Sequence, residues 1–380
     1  MDHLLSPDEV AHHERLIRLT TEAWQDDAAR WEEAGTLPDE VVRWCAAEGL
    51  LGAALPAEVG GGGWTAIRTG LLYEALGRTS ASLASLVNVH GMMTQTLHRW
   101  GSDQHRATVL PPLAAGERVA AICMTEPHAG SDLAAVTTTL TGHDAPVLDG
   151  TKVYITFGGL ADVFLVLAQR DGRPVGCLVD RKNPGLRVQP MGAVLGLRAA
   201  ALARLEFRDC AVDPGAIVGA DGFGLSVLVP HALEHGRHAV AWMAVGMLRA
   251  VFAACAAFAL RRRAFDRPIV EYGQIQSILT RMGADLTAAE HLCVSASRAL
   301  DAGTAEATNQ VLTAKYFACR AAEEHTAQAV QLLGSSGVLE SGVVARAYRD
   351  SKVLNIIEGT TQILERTLAP EYARAATRGR

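Results

Sequence analysis

At 380 residues, with 49% hydrophobic, 20% charged and 5% aromatic positions, the composition excludes disorder and low complexity. A chain this long buries roughly three quarters of its unfolded surface without needing staples. A formal net charge of −6, with no basic run longer than Arg261-Arg262-Arg263, removes the electrostatic footprint of a nucleic-acid binder.

The segment Met1 to Glu9 is acidic and polar and lacks the basic and apolar regions of a secretory signal, and the seven cysteines stand singly with no C-x-x-C. A cytoplasmic, reducing location is expected. From residue 7 to about 118 apolar positions recur at helical spacing, in Ala23–Ala34, Val41–Leu50 and Thr69–Ala84. Pro56, the Gly60–Gly63 run and Gly101 punctuate them. From about 119 to 220 short β-rich runs follow: Val119–Met124, Ala135–Leu140, Lys152–Thr156, Val163–Ala168, Gly176–Val179 and Leu205–Phe207. Turns at Asp149-Gly150, Asp171-Gly172 and Asn183-Pro184-Gly185 separate them, which predicts an antiparallel β domain. Long alanine-rich helices are then expected over 222–264, 273–301, 304–334 and 342–352, with a last one from about Thr361.

Helices, a small sheet, then helices predict an α+β fold with segregated layers and three domains, 1–118, 119–220 and 221–380. Neither G-x-G-x-x-G nor G-x-x-x-x-G-K-[ST] occurs, which disfavours Rossmann-type and P-loop sites. Ala239–Leu260 is almost wholly apolar and long enough to cross a membrane, but Arg249 at its centre favours a helix buried in a core or interface.

Three segments carry candidate chemistry. In Cys123-Met124-Thr125-Glu126-Pro127-His128-Ala129-Gly130-Ser131-Asp132, two hydroxyls and two nearly side-chain-free residues let an anion such as a diphosphate approach the backbone. The same residues also read as a Pro/Gly turn capped by Asp132. In Lys152-Val153-Tyr154-Ile155-Thr156, strand alternation places Tyr154 and Thr156 on one face, where a flat ring can lie, although such pairs are commonly only packing. Glu358 is the only acid between Asp350 and Glu365 and follows Ile356-Ile357. A carboxylate in apolar surroundings has a raised pKa, as a general base for a weakly acidic proton needs; a solvated acid at a helix start is the plainer reading. His231-Ala232-Leu233-Glu234-His235 matches an inverted zinc-peptidase pattern, but polar residues at a helix start explain it more simply, and no metal is assigned.

Taken in order, these segments resemble the acyl-CoA dehydrogenase family across nearly the whole chain. The resemblance runs through Gly49-Leu50-Leu51-Gly52 to Pro56–Gly61 and through Leu110–Glu117 into Met124–Asp132. It continues in Tyr154-Ile155-Thr156, where a Trp-Ile-Thr is usual, in Gln331–Gly337 with Arg346 and Asp350, and in Ile357-Glu358-Gly359-Thr360. It implies an N-terminal helical domain, a middle antiparallel β-barrel domain and a C-terminal four-helix bundle, binding FAD and assembled as a homotetramer or homodimer. Thr125 and Thr156 would hydrogen-bond the flavin ring, with Met124 and Tyr154 packed near it and Thr360 also contacting the cofactor. Gly130 and Ser131 would serve the diphosphate, and Ser131 the neighbouring pantetheine. Arg262, Phe265, Gln331 and Gly334 would reach the FAD of the adjacent subunit. Arg237 and Gly359 would border the substrate.

Glu358 matches the family's usual base, removing the α-proton of an acyl thioester while the β-hydrogen leaves as hydride to the flavin. The Glu358 N–H and a ribityl hydroxyl would stabilise the thioester carbonyl. The alternative base of a minority of members would stand immediately before Arg237, at Gly236. The departures are Asp266 for a glycine after Phe265, Gly273 beside Gln274 where the Gln is expected, Phe157 for a common Asn, and Ser341 for an acid or Asn.

Glu234–Trp242 and Ile356–Gly359 look more like carrier-protein-linked enzymes of polyketide extender-unit pathways, such as hydroxymalonyl or methoxymalonyl formation. The implied partners are therefore an acyl-CoA or acyl-carrier-protein thioester, with an electron-transfer partner or oxygen as acceptor. Arg261–Arg263 and Arg267 read either as a basic patch for a carrier protein or as solvated or FAD-facing residues. A flavin oxidase or monooxygenase on the same fold, and a flavin-free scaffold hinted at by Asp266 and Gly273, are the competing readings.

Overall fold

The computed structural model describes residues 1–378. Ser6 starts the first helix: its Oγ accepts from the Glu9 N–H while the Glu9 carboxylate takes the Ser6 N–H at 2.8 Å, and Pro7 follows at the first helical position. Helix α1 (Pro7–Trp24) is separated from α2 (Ala28–Ala34) by a turn at Gln25-Asp26-Asp27. The helix expected over Ala23–Ala34 is thus broken where short acidic side chains favour a turn. Next come α3 (Asp39–Ala47), α4 (Ala66–Thr79), α5 (Ala81–Trp100) and α6 (Leu110–Ala114). Thr69–Ala84 is likewise two helices, because Ser80 turns extended and caps α5 by accepting the Leu83 N–H at 3.2 Å.

One eight-stranded sheet follows: β1 (Ala120–Cys123), β2 (Thr139–Thr141), β3 (Val147–Ile155), β4 (Val163–Arg170), β5 (Arg173–Asp180), β6 (Leu186–Pro190), β7 (Ala203–Ala211) and β8 (Ile217–Val218). Its order is β6-β7-β3-β2-β4-β5-β8, with β1 also paired to β4. Most pairs are antiparallel, but β1 runs parallel to β4, with Ala120 opposite Val163. The β4–β5 hairpin closes on Asp171-Gly172, with φ of 50° and 72°, the left-handed pair that a two-residue turn requires. Strand β6, at the sheet edge and ending on Pro190, has no counterpart among the predicted runs.

The chain then returns to helices: α7 (Val229–Arg261), a hairpin of β9 (Arg263–Ala264) and β10 (Arg267–Pro268), α8 (Gly273–Ala302), α9 (Ala307–Leu333), α10 (Val343–Leu354) and α11 (Thr361–Arg378). Within the apolar stretch of α7, His238 to Leu248 are all buried. A Cβ on Gly77 of α4 would lie 2.6 Å from the Met243 carbonyl oxygen, so the two helices cross with backbones almost touching. Arg249 is answered inside the protein by Glu74 at 2.9 Å and by Glu290. Glu74 also accepts from His13 at 2.7 Å and Arg78 at 2.8 Å. Burial opposes its charge, but His13, Arg78 and Arg249 prevail and hold the carboxyl at about 2.

The helical layers and the sheet meet at Glu32 and Asp350, both buried. Glu32 accepts from Ser82 Oγ at 2.5 Å and from the Arg198 N–H at 2.7 Å, and Asp350 accepts the Leu197 N–H at 2.7 Å. The loop between β6 and β7 is thereby fixed to α2, α5 and α10. Burial first, and then the proximity of Glu32, push the Asp350 carboxyl well above its ordinary range.

Candidate active site

Two loops leave the sheet side by side, one after β1 and one after β3. The Val153 N–H donates to the Thr125 carbonyl at 3.0 Å and ties them together. Glu126 closes the first loop on itself, its backbone exchanging hydrogen bonds of 2.8 and 3.2 Å with Ala129. The Glu126 carboxylate points inward and accepts from Lys152 Nζ at 2.8 Å, the Thr138 N–H at 2.9 Å and the Thr137 N–H at 2.7 Å. Lys152 Nζ also donates to the Met124 carbonyl at 2.9 Å. Burial works against the charge on Glu126, but Lys152 and the threonine donors outweigh it and hold the carboxyl at about 2. With two of their amides committed to Glu126, residues 136–138 do not join the sheet, and the strand expected from Ala135 begins only at Thr139.

That internal anchor leaves the outer rim of the loop open. Gly130 and Ser131 are exposed, Met124 and Thr125 are half-buried, and a Cβ on Gly130 would meet only Thr125 Cγ2 at 3.9 Å. Strand alternation holds around the second loop: Val153, Ile155 and Phe157 are buried, Thr156 is half-buried and Tyr154 is 61% exposed. A ladder irregularity between Lys152 and Ile155 turns Tyr154 outward at a φ of 57°. A large aromatic left open beside two hydroxyls and a glycine rim fits a flat ring system joined to a diphosphate, as in FAD.

Glu358 lies in the turn between α10 and α11, at a left-handed φ of 56°, and Gly359 follows at 97°. Two cations from neighbouring helices hold this turn by its carbonyls. Arg237 Nε of α7 donates to the Glu358 carbonyl at 2.9 Å, and Lys315 Nζ of α9 donates to the Gly359 carbonyl at 2.8 Å. Asn355 fastens the start of the turn, donating to the Cys319 carbonyl at 3.0 Å and to Glu323 at 2.6 Å. Thr360 caps α11, its Oγ1 accepting the Ile363 N–H at 3.4 Å. No protein acceptor takes the Glu358 N–H among the described residues.

The Glu358 carboxyl faces Gly236 of α7. A Cβ there would lie 2.7 Å from Glu358 Cδ and 2.9 Å from Met92 Sδ, so the glycine provides the space that the carboxyl occupies. The crowding around it pushes the carboxyl up to about 7, and the charges of Lys315 and Arg237 pull back only part of that rise. Next to Gly236, His235 Nε2 pairs with the Tyr73 hydroxyl at 3.0 Å. Glu234 is taken by Thr308 Oγ1, so the three polar residues of the apparent zinc motif do not converge on one point.

The structure thus draws the β1 and β3 loop residues into one group and Glu358, Gly359 and Arg237 into another. Arg262, Phe265, Gln331 and Gly334 share no hydrogen bond with either group among the described residues, and all but Phe265 lie on helices or their ends. Phe265 is 92% exposed at the tip of the β9–β10 hairpin. Asp266, where the family pattern has glycine, adopts a φ of 66°, a left-handed conformation that aspartate tolerates better than most residues. A Cβ at Gly273 would meet nothing within 4 Å.

Three contributors escaped the sequence reading: the Glu126–Lys152 pair, Lys315, and the Tyr73–His235 pair. Lys315 had a readable signal, since it shares the buried helical stripe of Val311, Ala318, Cys319 and Ala322. A cleft of about 970 Å³ lies elsewhere, between Ala29–Thr36, the β6–β7 loop and Leu339–Ser341, and Glu358 is not in its lining.

Comparison with known proteins identifies the family. Residues 6–117, 121–210 and 222–372 match the acyl-CoA dehydrogenase N-terminal, middle and C-terminal domains in turn. Mitochondrial isobutyryl-CoA dehydrogenase of Bos taurus is 30% identical over 341 residues, covering 88% of this chain and 82% of that protein. The structure of FkbI, for biosynthesis of the methoxymalonyl extender unit of the Fk520 polyketide immunosuppressant, superposes with a TM-score of 0.88 at 34% identity, covering 94% of this chain and 99% of that one. A glutaryl-CoA dehydrogenase of Mycobacterium smegmatis in complex with FADH2 gives 0.93 at 28% identity, covering 98% and 96%. With all three domains matched in order and a relative 30% identical over most of both proteins, this chain belongs to the acyl-CoA dehydrogenase family of FAD-dependent oxidoreductases.

Proposed function

We propose that the protein dehydrogenates the α,β bond of a small acyl thioester, with Glu358 as the base that takes the α-proton. The observation that carries this reading is Glu358 itself: a carboxyl pushed up to about 7, facing the space left by Gly236, in a turn whose backbone two cations hold. Bound FAD supplies the acceptor for the β-hydrogen, which leaves as hydride. Thr125 and Thr156 would hydrogen-bond the ring, Met124 and Tyr154 would pack near it with Thr360 also in contact, and Gly130 and Ser131 would hold the diphosphate. The unpaired Glu358 N–H donates to the thioester carbonyl as negative charge builds on it during proton removal, so one residue supplies both base and oxyanion donor.

Arg262, Phe265, Gln331 and Gly334, which share no hydrogen bond with either group among the described residues, would reach a neighbouring subunit's cofactor in a homotetramer or homodimer. The similarity to FkbI supports a carrier-protein thioester in extender-unit biosynthesis, with the exposed Arg261, Arg263 and Arg267 facing its acidic surface. Seven unpaired, buried cysteines support a cytoplasmic location. Three domains, 1–118, 119–220 and 221–380, complete the reading.

The test is an anaerobic visible spectrum of the FAD-loaded protein before and after adding short acyl-CoA and acyl-carrier-protein thioesters. Bleaching of the flavin bands is expected, and the faster of the two series identifies the tether. Flavin that stays oxidised with every thioester would overturn the reading.

The pH dependence follows from the same carboxyl. Proton removal requires the ionised form, so the first-order rate of flavin reduction should climb through about pH 7 and level off above it. One unit below that point about a tenth of the base is ionised and the rate should fall roughly tenfold. A rate constant that is flat from acid to alkaline pH would contradict the assignment.

A further inference from the structure

Lys315 is fully buried on α9, and its ammonium donates to a single protein acceptor among the described residues, the Gly359 carbonyl at 2.8 Å. A buried lysine with one hydrogen bond is expensive unless its charge has further use. The acceptor belongs to the residue after Glu358, and both residues hold left-handed backbone, at φ of 56° and 97°. Arg237 grips the preceding carbonyl from the opposite helix. The turn is thus clamped between α7 and α9 at two consecutive peptide groups.

Resting on the assignment of Glu358 as base, we propose that Lys315 is a positioning residue for the reaction: it pins the Gly359 carbonyl so that the Glu358 carboxyl stays aimed at the α-carbon, and its charge favours the ionised base. Facing the pair are Arg237 from α7 and Cys319 one turn along α9, while His235, next to Gly236, turns its Nε2 to the Tyr73 hydroxyl. Burial pushes the Cys319 thiol up to about 11 and pulls His235 down to about 4, which leaves Glu358 as the carboxyl beside Lys315 that titrates between them; the other raised carboxyl, Asp350, lies within α10 on the Leu197 N–H and is common to wild type and every Lys315 variant. Burial lowers the Lys315 ammonium from its ordinary value, while Cys319 and Glu358 favour its charge. Removing that positive charge must make Glu358 harder to ionise.

The experiment is anaerobic stopped-flow reduction of the FAD-loaded enzyme by butyryl-CoA, or by the thioester that bleaches it best, across pH 5.5–9. It compares wild type with K315M, K315Q and K315R. For K315M and K315Q the acid limb should move to higher pH by about half a unit or more, and the plateau rate should fall roughly tenfold or more with KM changed less than threefold. K315R, which keeps charge and donor, should retain the wild-type limb. Should K315M not load FAD, K315Q against K315R decides. A limb equally placed in K315Q, K315R and wild type overturns the proposal, as does a shift of the same size in K315R. E358Q run alongside separates the two levels: if it reduces flavin as fast as wild type, the base assignment falls and takes the proposal with it. If E358Q is inactive and the limb of K315Q is unmoved, only the role of Lys315 falls.

Discussion

E358Q is expected to bind FAD with wild-type affinity and to lose flavin reduction by acyl thioester, by about 10²–10⁴-fold for removal of a positioned base. The glutamine keeps the shape that fills the space opposite Gly236, and the backbone clamp by Arg237 and Lys315 does not involve the side chain. The stability arm has the opposite sign. The folded protein raises this carboxyl from its ordinary 4.5 to about 7, so the folded state holds its proton more tightly than the unfolded chain. The resulting penalty is fully present above about pH 7, shrinks as pH falls, and vanishes below 4.5. At pH 8, therefore, E358Q should melt no lower than wild type. A variant that melts lower and also loses FAD would mean that Glu358 holds the turn together; one that reduces flavin at the wild-type rate would move the base elsewhere.

The second large effect concerns stability. K152M is expected to destabilise the folded protein by about 3–5 kcal/mol and to weaken FAD binding, because it leaves Glu126 charged and buried without its counter-ion. The Glu126 carboxyl is held at about 2 in the folded state, below its ordinary 4.5, so its contribution is fully present above 4.5 and is lost as pH falls through about 2; at the alkaline end the pair ends where Lys152, lowered by burial, gives up its proton. Neutral buffers therefore test the intact pair. The double variant E126Q/K152M should recover much of the loss, since it removes the isolated charge rather than creating one. Thermal melts of the three proteins with and without added FAD make the measurement, and K152M within 1 kcal/mol of wild type would show that the amides of Thr137 and Thr138 alone suffice for Glu126.

Much of the architecture was readable in the chain because it depends on local pattern. The Asp171-Gly172 hairpin, the buried face of α7 and the long C-terminal helices follow from turn chemistry and helical periodicity. The misreadings lie where a distant side chain overrides that pattern. Val136 to Thr138 would suit a strand, yet Glu126 claims two of their amides; Thr69–Ala84 reads as one helix until Ser80 caps the second. At the site, Glu358 and its apolar neighbours stand together in sequence and were legible. Its two clamps come from 121 and 44 residues away, measured from the carbonyls they hold, and no local pattern links them.

The buried course of α7 also has a consequence in time. Its most apolar stretch has a mean hydropathy of 2.0 within Gly224–Arg261. Helix α4, which precedes it, is already made when α7 emerges from the ribosome and can cover the face that carries Met243. The faces that pack on α8 and α9 must wait until Leu333 has been added. At translation speeds of about 5–20 residues per second, the interval from Arg261 to Leu333 lasts on the order of several seconds to more than ten. For that interval the nascent chain displays a greasy, unfinished helix, so its yield in a cell depends on how well chaperones shelter it until the bundle closes.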